Sequence, residues 1–110
     1  MSAKTLPNPP YYAVIFVNQR NEEDEEGYGQ TADRMVELAQ QQDGYLGIES
    51  VRDEKGKGIT VSYWRDMDAI TNWKNNLEHT DARNDGRSRW YEDYQLQIAK
   101  VEHGYRWIKS

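Results

Sequence analysis

The chain has no cysteine among its 110 residues, which excludes disulfides, thiolate nucleophiles, cysteine-based zinc sites and iron–sulfur clusters. Two histidines, His79 and His103, are the whole supply of nitrogen ligands, and no carboxylate cluster accompanies them, so no metal site is expected. No apolar run approaches the ~18 residues that a membrane span requires, and the N-terminus lacks a signal-type apolar core. Basic residues are outnumbered, 14 against 19 acidic, for a net charge of -5 without a broad basic face. Nucleic acid and anionic membrane are therefore poor partners, and a soluble cytoplasmic protein is the expectation. Glycine-rich phosphate loops and Ser-His-Asp arrangements are missing too; GYG and GKG read as turns.

What is abundant is aromatic surface. Four Trp and eight Tyr accompany a single Phe in a chain whose mean hydropathy is -1.08. The core must be built largely from amphipathic rings, whose O–H and N–H groups need partners once buried. A chain of this length suits one domain, residues 11–110, behind a proline-containing arm at 1–10 (LPNPP). So small a fold buries a low fraction of its surface, and self-association would help it.

Residues 11–17, YYAVIFV, predict a strand ended by Asn18. It is apolar on both faces, Tyr11/Ala13/Ile15/Val17 and Tyr12/Val14/Phe16, so cover is expected on both sides. NQRNEEDEEG reads as a solvated acidic loop. From Tyr28 the period becomes helical, with Ala32, Met35, Leu38 and Ala39 on the inner stripe and Gly44 as the stop. Strands at 46–52 and 58–64 are joined by DEKGKG, a hairpin loop. Asp66 is placed to cap a second helix, with Met67, Ile70, Trp73 and Leu77 inward. Ala82, Gly86 and Trp90 recur at four-residue spacing and predict a further helical stretch over 81–94. A long last strand follows at 95–107, carrying His103, Tyr105 and Trp107, with a bulge expected near Ala99 or Lys100.

The order βαββαβ predicts an α+β, ferredoxin-like fold: a four-stranded antiparallel sheet with both helices on one face. The bare second face, apolar along the first strand, predicts a homodimer formed by sheet faces.

The segments YYAVIFVN, AQQQDGYLGIESVRD and ITVSYWRDMDAITNWKNNLEH resemble the antibiotic biosynthesis monooxygenases, a family of dimeric α+β barrel proteins, over almost all of 11–107. The family holds cofactor-independent quinone-forming oxygenases, haem-degrading enzymes and members without known activity. Its haem-degrading members use an asparagine late in the first strand, a tryptophan in the second helix and a histidine ten residues further on as iron ligand. Asn18 and Trp73 match the first two, with Trp64 nine residues before the helix tryptophan, but the third position is Arg83. A guanidinium offers iron no lone pair; a haem reading would have to run through His79.

The resemblance thus implies a cofactor-free monooxygenase that oxidises a small aromatic ligand, a phenol or hydroquinone, with O2. In that scheme His79 is the general base, Asn18 and Arg83 hold the oxyanion or peroxide, and Trp64, Trp73, Trp90 and Phe16 wall the substrate pocket. The alternative is a dimer of the same fold that binds a small molecule without catalysis.

Overall fold

The computed structural model describes residues 6–23, 25–78 and 90–110. Its elements are β1 (Tyr11–Arg20), α1 (Glu25–Gln40), β2 (Tyr45–Arg52), β3 (Lys57–Trp64), α2 (Met67–Glu78) and β4 (Tyr91–Val101). The four strands form one antiparallel sheet in the order β2-β3-β1-β4, which is the ferredoxin-like arrangement. Alternation divides the sheet residues between two faces. Val14 and Trp64 on one face join Ala39 of α1 and Ala69 and Ile70 of α2 in the core, with Tyr12, Tyr45 and Trp73 packed against it. The other face, with Ile15, Val17, Ile59 and Val61, carries no described helix.

The β3–α2 junction follows from local chemistry. The Asp66 carboxylate accepts the Ala69 N–H at 2.8 Å, satisfying a donor that the first helical turn leaves orphaned, and holds the Arg65 Nε–H at 3.0 Å. Gly44, at φ 91°, passes so close to Ala69 that a Cβ there would come within 2.6 Å of the alanine methyl, so the α1–β2 turn admits no side chain. Hydrogen bonding, first from Ala69 and then from Arg65, holds the Asp66 carboxyl below its ordinary value of 3.8. The folded carboxyl therefore binds its proton more weakly than the unfolded one. Its contribution to stability is complete above the ordinary carboxylate range and is lost as pH falls through the depressed value. Asp66→Asn keeps an oxygen for the cap and removes the titration. Its melting temperature should fall less steeply than wild type between about pH 4.5 and 2.5 in circular-dichroism melts; parallel curves would refute the assignment.

Several boundaries differ from the sequence reading. Asn18 does not end β1; it lies inside the strand, between Gly58 of β3 and Tyr94 of β4. The acidic loop gives way to α1 at Glu25, where Glu25 and Glu26 complement the positive end of the helix. Met67 is exposed rather than inward. Tyr91 to Tyr94 begin β4 instead of ending a helix, since aromatic side chains favour the extended pleat; residues 81–89 of that predicted helix lie outside the described residues, as do His79 and the side chain of Leu77. β4 ends at Val101, where its partner β1 begins at Tyr11. His103, Tyr105 and Trp107 consequently stand beyond the sheet, exposed. The one irregularity in the β1–β4 ladder is at Gln19/Arg20, opposite Asp93 and Tyr91, not at Ala99. The shift of apolar parity along β4 has another cause: Leu96 and Ile98 face the helix side, and Val101 the open side.

Candidate functional site

The helix side of β1 presents Tyr12, Val14, Phe16, Asn18 and Arg20 in a row, and the sheet register divides this floor into two lobes. Asn18 lies opposite Gly58, and Tyr12 opposite Trp64. Six residues of strand, about 20 Å, separate the lobes.

The lobe at the Tyr12 end holds Trp64 and Trp73. Trp64 is fully buried and stacked on Trp73 with centroids 4.9 Å apart, while Tyr45 meets it edge-on at 5.7 Å. Its indole N–H donates to the buried Ser62 hydroxyl at 2.9 Å. Ser62, two residues before Trp64 on the same face, is thus the hydrogen-bond partner of the ring. Thr60, next in that row, is within 2.7 Å of the Ser50 hydroxyl across the β2–β3 pair. The indole N–H of Trp73 has no partner among the described residues.

The lobe at the Arg20 end gathers Phe16, Asn18 and Trp90 with three residues that the sequence reading did not select: Tyr28, Tyr91 and Tyr94. Phe16 meets Tyr91 and Tyr94 at 5.4 and 5.5 Å, and Tyr28 meets Trp90 and Tyr91 edge-on at 5.7 and 5.9 Å. Asn18, two residues from Phe16 along β1 and opposite Tyr94, is 1 % exposed, and both its amide oxygen and its amide nitrogen lack partners among the described residues. The Trp90 indole N–H is buried and likewise without a partner among the described residues. Leaving such groups dry costs on the order of 1–3 kcal/mol each. A ligand oxygen or hydroxyl would satisfy them, which is why this lobe is the candidate site.

Two guanidiniums stand at its outer edge. Arg20 lies 3.9 Å over the Tyr28 ring and donates to the carbonyls of Asn21, at 2.8 Å, and Trp90, at 3.5 Å. Arg52 donates to the Tyr28 hydroxyl at 2.8 Å, and the Tyr91 hydroxyl donates to the same oxygen at 3.3 Å. Burial first, then the contact with Tyr28, holds the Tyr91 phenol above its ordinary range, so it remains a neutral donor. Tyr91 and Tyr94 escaped the sequence reading because residues 81–94 were assigned to a helix, Arg20 because it was assigned to a solvated loop, and Tyr28 because it was assigned to the inner stripe of the first helix. The one available signal was the aromatic density of that pentapeptide.

Of the seven residues selected from sequence, Phe16, Asn18 and Trp90 meet in one lobe and Trp64 and Trp73 in the other, whereas His79 and Arg83 lie outside the described residues. Among the described residues no group of histidines and carboxylates could hold a metal ion, and no helix is long and apolar enough to cross a membrane.

Comparison with known proteins agrees with this architecture. Residues 10–85 match the family model described as antibiotic biosynthesis monooxygenase. The chain is similar to the uncharacterised protein YqjZ of Bacillus subtilis (57% identity over 96 residues, covering 87% of this chain and 83% of the relative). It is also similar to the jasmonate monooxygenase ABM of Pyricularia oryzae, at 27% identity over 86% of this chain but only 45% of that protein. Among solved structures, SnoaB, a cofactor-independent oxygenase from Streptomyces nogalater, superposes with a TM-score of 0.73 at 9% identity, covering 87% of this chain and 97% of that one. At that identity the likeness concerns the fold.

Proposed function

The chain belongs to the antibiotic biosynthesis monooxygenase family, and within it we propose a homodimeric monooxygenase that oxidises a small phenol or hydroquinone to a quinone with O2. The observation that carries this reading is the buried amide of Asn18, without a partner among the described residues, on the strand row of Phe16 and opposite Tyr94, whose rings meet. Aromatic walls suit a planar substrate and exclude water, while a preorganised amide stabilises charge developing on oxygen.

The proposed steps need no cofactor. A base, assigned to His79, removes the phenolic proton; the electron-rich anion passes one electron to O2; and the radical pair joins at a ring carbon bearing hydrogen. Loss of that hydrogen and of one oxygen as water leaves the quinone, so each phenol consumes one O2 and releases one H2O. The amide nitrogen of Asn18 would donate to the phenolate or peroxide oxygen, with Arg83 as a second donor. Trp64 and Trp73 support the floor from the other lobe.

Oxygen uptake with a hydroquinone panel, in the presence of a metal chelator, tests this. Asn18→Leu should lose about 10²-fold in turnover, the scale of one oxyanion donor. It should melt no lower than wild type, because the amide it removes makes no bond in the described structure. Wild-type turnover in Asn18→Leu would discard the role of the amide, and undiminished turnover in His79→Ala would discard the base. Saturable binding of the panel without any oxygen uptake would identify a silent binder instead.

A further inference from the structure

We propose that the cleft between α1 and the β2–β3 hairpin binds the carboxylate of a small organic monoanion, through Arg52 and the Tyr28 hydroxyl with Arg20 behind them. The cleft, about 360 Å³, is lined by all three residues, and its size suits a single-ring ligand. It rests on the preceding reading only for the claim that this anion is the substrate; binding stands or falls by itself.

The first argument is charge. Two guanidiniums converge on one tyrosine, Arg20 at 3.9 Å from the ring centre and Arg52 at 5.5 Å. Among the described residues neither takes part in an ion pair. Both donate instead to neutral oxygens: Arg20 to backbone carbonyls and the Asn21 side chain, Arg52 to Gly56 O and the Tyr28 hydroxyl. Arg20 is only 9% exposed. Like charges held this close are repulsive unless an anion joins them, and an arginine fork has five donors matched to the two oxygens of a carboxylate.

The second argument is that the backbone makes room for the fork. Gly58 is buried, and a Cβ built on it would lie 2.7 Å from Cζ, Nη1 and Nη2 of Arg52. The guanidinium therefore lies flat across the sheet on a residue without a side chain. Arg52, Gly58, Asn18 and Tyr94 occupy one cross-strand row. A carboxylate on Arg52 directs the rest of its ligand along that row, toward the aromatic lobe.

The rim selects the charge of the ligand. Glu22, Glu25, Asp53 and Glu54 surround the same cleft, with Lys55 the further cation. Four carboxylates lining the same cleft as the two guanidiniums tolerate a monoanion and repel a dianion such as phosphate.

Benzoate is the probe, titrated into the full chain and followed by amide chemical shifts in ¹H–¹⁵N spectra. Saturable shifts at Gly56 and Gly58 are expected, with Kd raised at least tenfold in Arg52→Gln. Gly58→Ala is the sharper variant. Gly58 has an ordinary φ, and the obstructing atoms are the end of a flexible side chain. The substitution should leave the melting temperature unchanged, displace the guanidinium and also weaken benzoate at least tenfold. Unshifted glycine amides, a wild-type Kd in both variants, or inorganic phosphate binding as tightly as benzoate would each overturn the proposal. The titration requires no turnover, so failure of the oxygenase reading leaves it standing, and its own failure leaves oxygen uptake untouched.

Discussion

Trp64→Ala should be the most damaging single substitution in the chain, lowering stability by about 3–5 kcal/mol. The ring is fully buried, stacked on Trp73 and met edge-on by Tyr45, and its N–H is committed to Ser62. Truncation removes the centre of a three-ring cluster in a sheet whose helix side has few other large buried groups among the described residues. It also leaves the buried Ser62 hydroxyl without its donor. Domains of this size have only about 5–15 kcal/mol in total, so the variant stands near the threshold of folding. The melting temperature should drop by at least about 12 °C, since each kcal/mol shifts it by roughly 4–8 °C. Trp107→Ala provides the contrast within the same protein: that ring is 74% exposed beyond the end of β4, and its loss should move the melt by less than about 2 °C. Equal effects of the two substitutions in circular-dichroism melts would mean that the three-ring cluster is not the keystone described.

The parts of the fold legible in the sequence are those where one local cause suffices. YYAVIFV has only one sensible conformation, Asp66 has a donor to cap three residues on, and DEKGKG has glycine where the hairpin turns at φ 91°. Other parts depend on partners distant along the chain. Asn18 reads as a strand terminator by its own propensity, yet Gly58 and Tyr94 extend the ladder on either side of it. WYEDY satisfies a four-residue spacing with Gly86 and Ala82, but its tyrosines pair with the end of β1. The candidate site shows the same division. The family resemblance pointed to Asn18, which shares its strand row with Phe16, and Tyr91 and Tyr28 link Phe16 to Trp90. The same resemblance implied that Trp64 and Trp73 wall the same pocket. Antiparallel register instead sets Trp64, on which Trp73 stacks, opposite Tyr12, six strand residues or about 20 Å of backbone from Asn18, and nothing in a linear pattern reports register. The Arg52 guanidinium was legible in principle, since the absence of a side chain at Gly58 makes its room, but only pairing reveals that the two are neighbours.

Val61→Glu should convert the proposed homodimer to a monomer. Val61 lies at the middle of the sheet face that carries no described helix, paired with Ile15 on one side and Glu49 on the other. Around it Val17, Ile59 and Val51 form the next cross-strand row, and Ala13 and Tyr63 the previous one. Ile59 and Val51 are 40% and 70% exposed in the isolated chain, while Glu49, Gln95 and Gln97 lie on the flanking strands. An apolar centre with polar flanks is the anatomy of an interface, and a chain with this little core gains most from covering it. A second copy related by a two-fold axis presents the same self-complementary patch. Each substitution then introduces two buried carboxylates per dimer, each beside a Glu49 and without a cation in its cross-strand row, a penalty of several kcal/mol per buried ion. Light scattering after size exclusion should give wild type at twice the 13.0 kDa of one chain and Val61→Glu at that mass. The variant should keep its circular-dichroism spectrum, because Val61 faces away from the core that Trp64, Val14 and Ala39 form. A wild-type protein that elutes as a monomer, or a Val61→Glu variant that stays dimeric, would mean that this face is not where two copies meet.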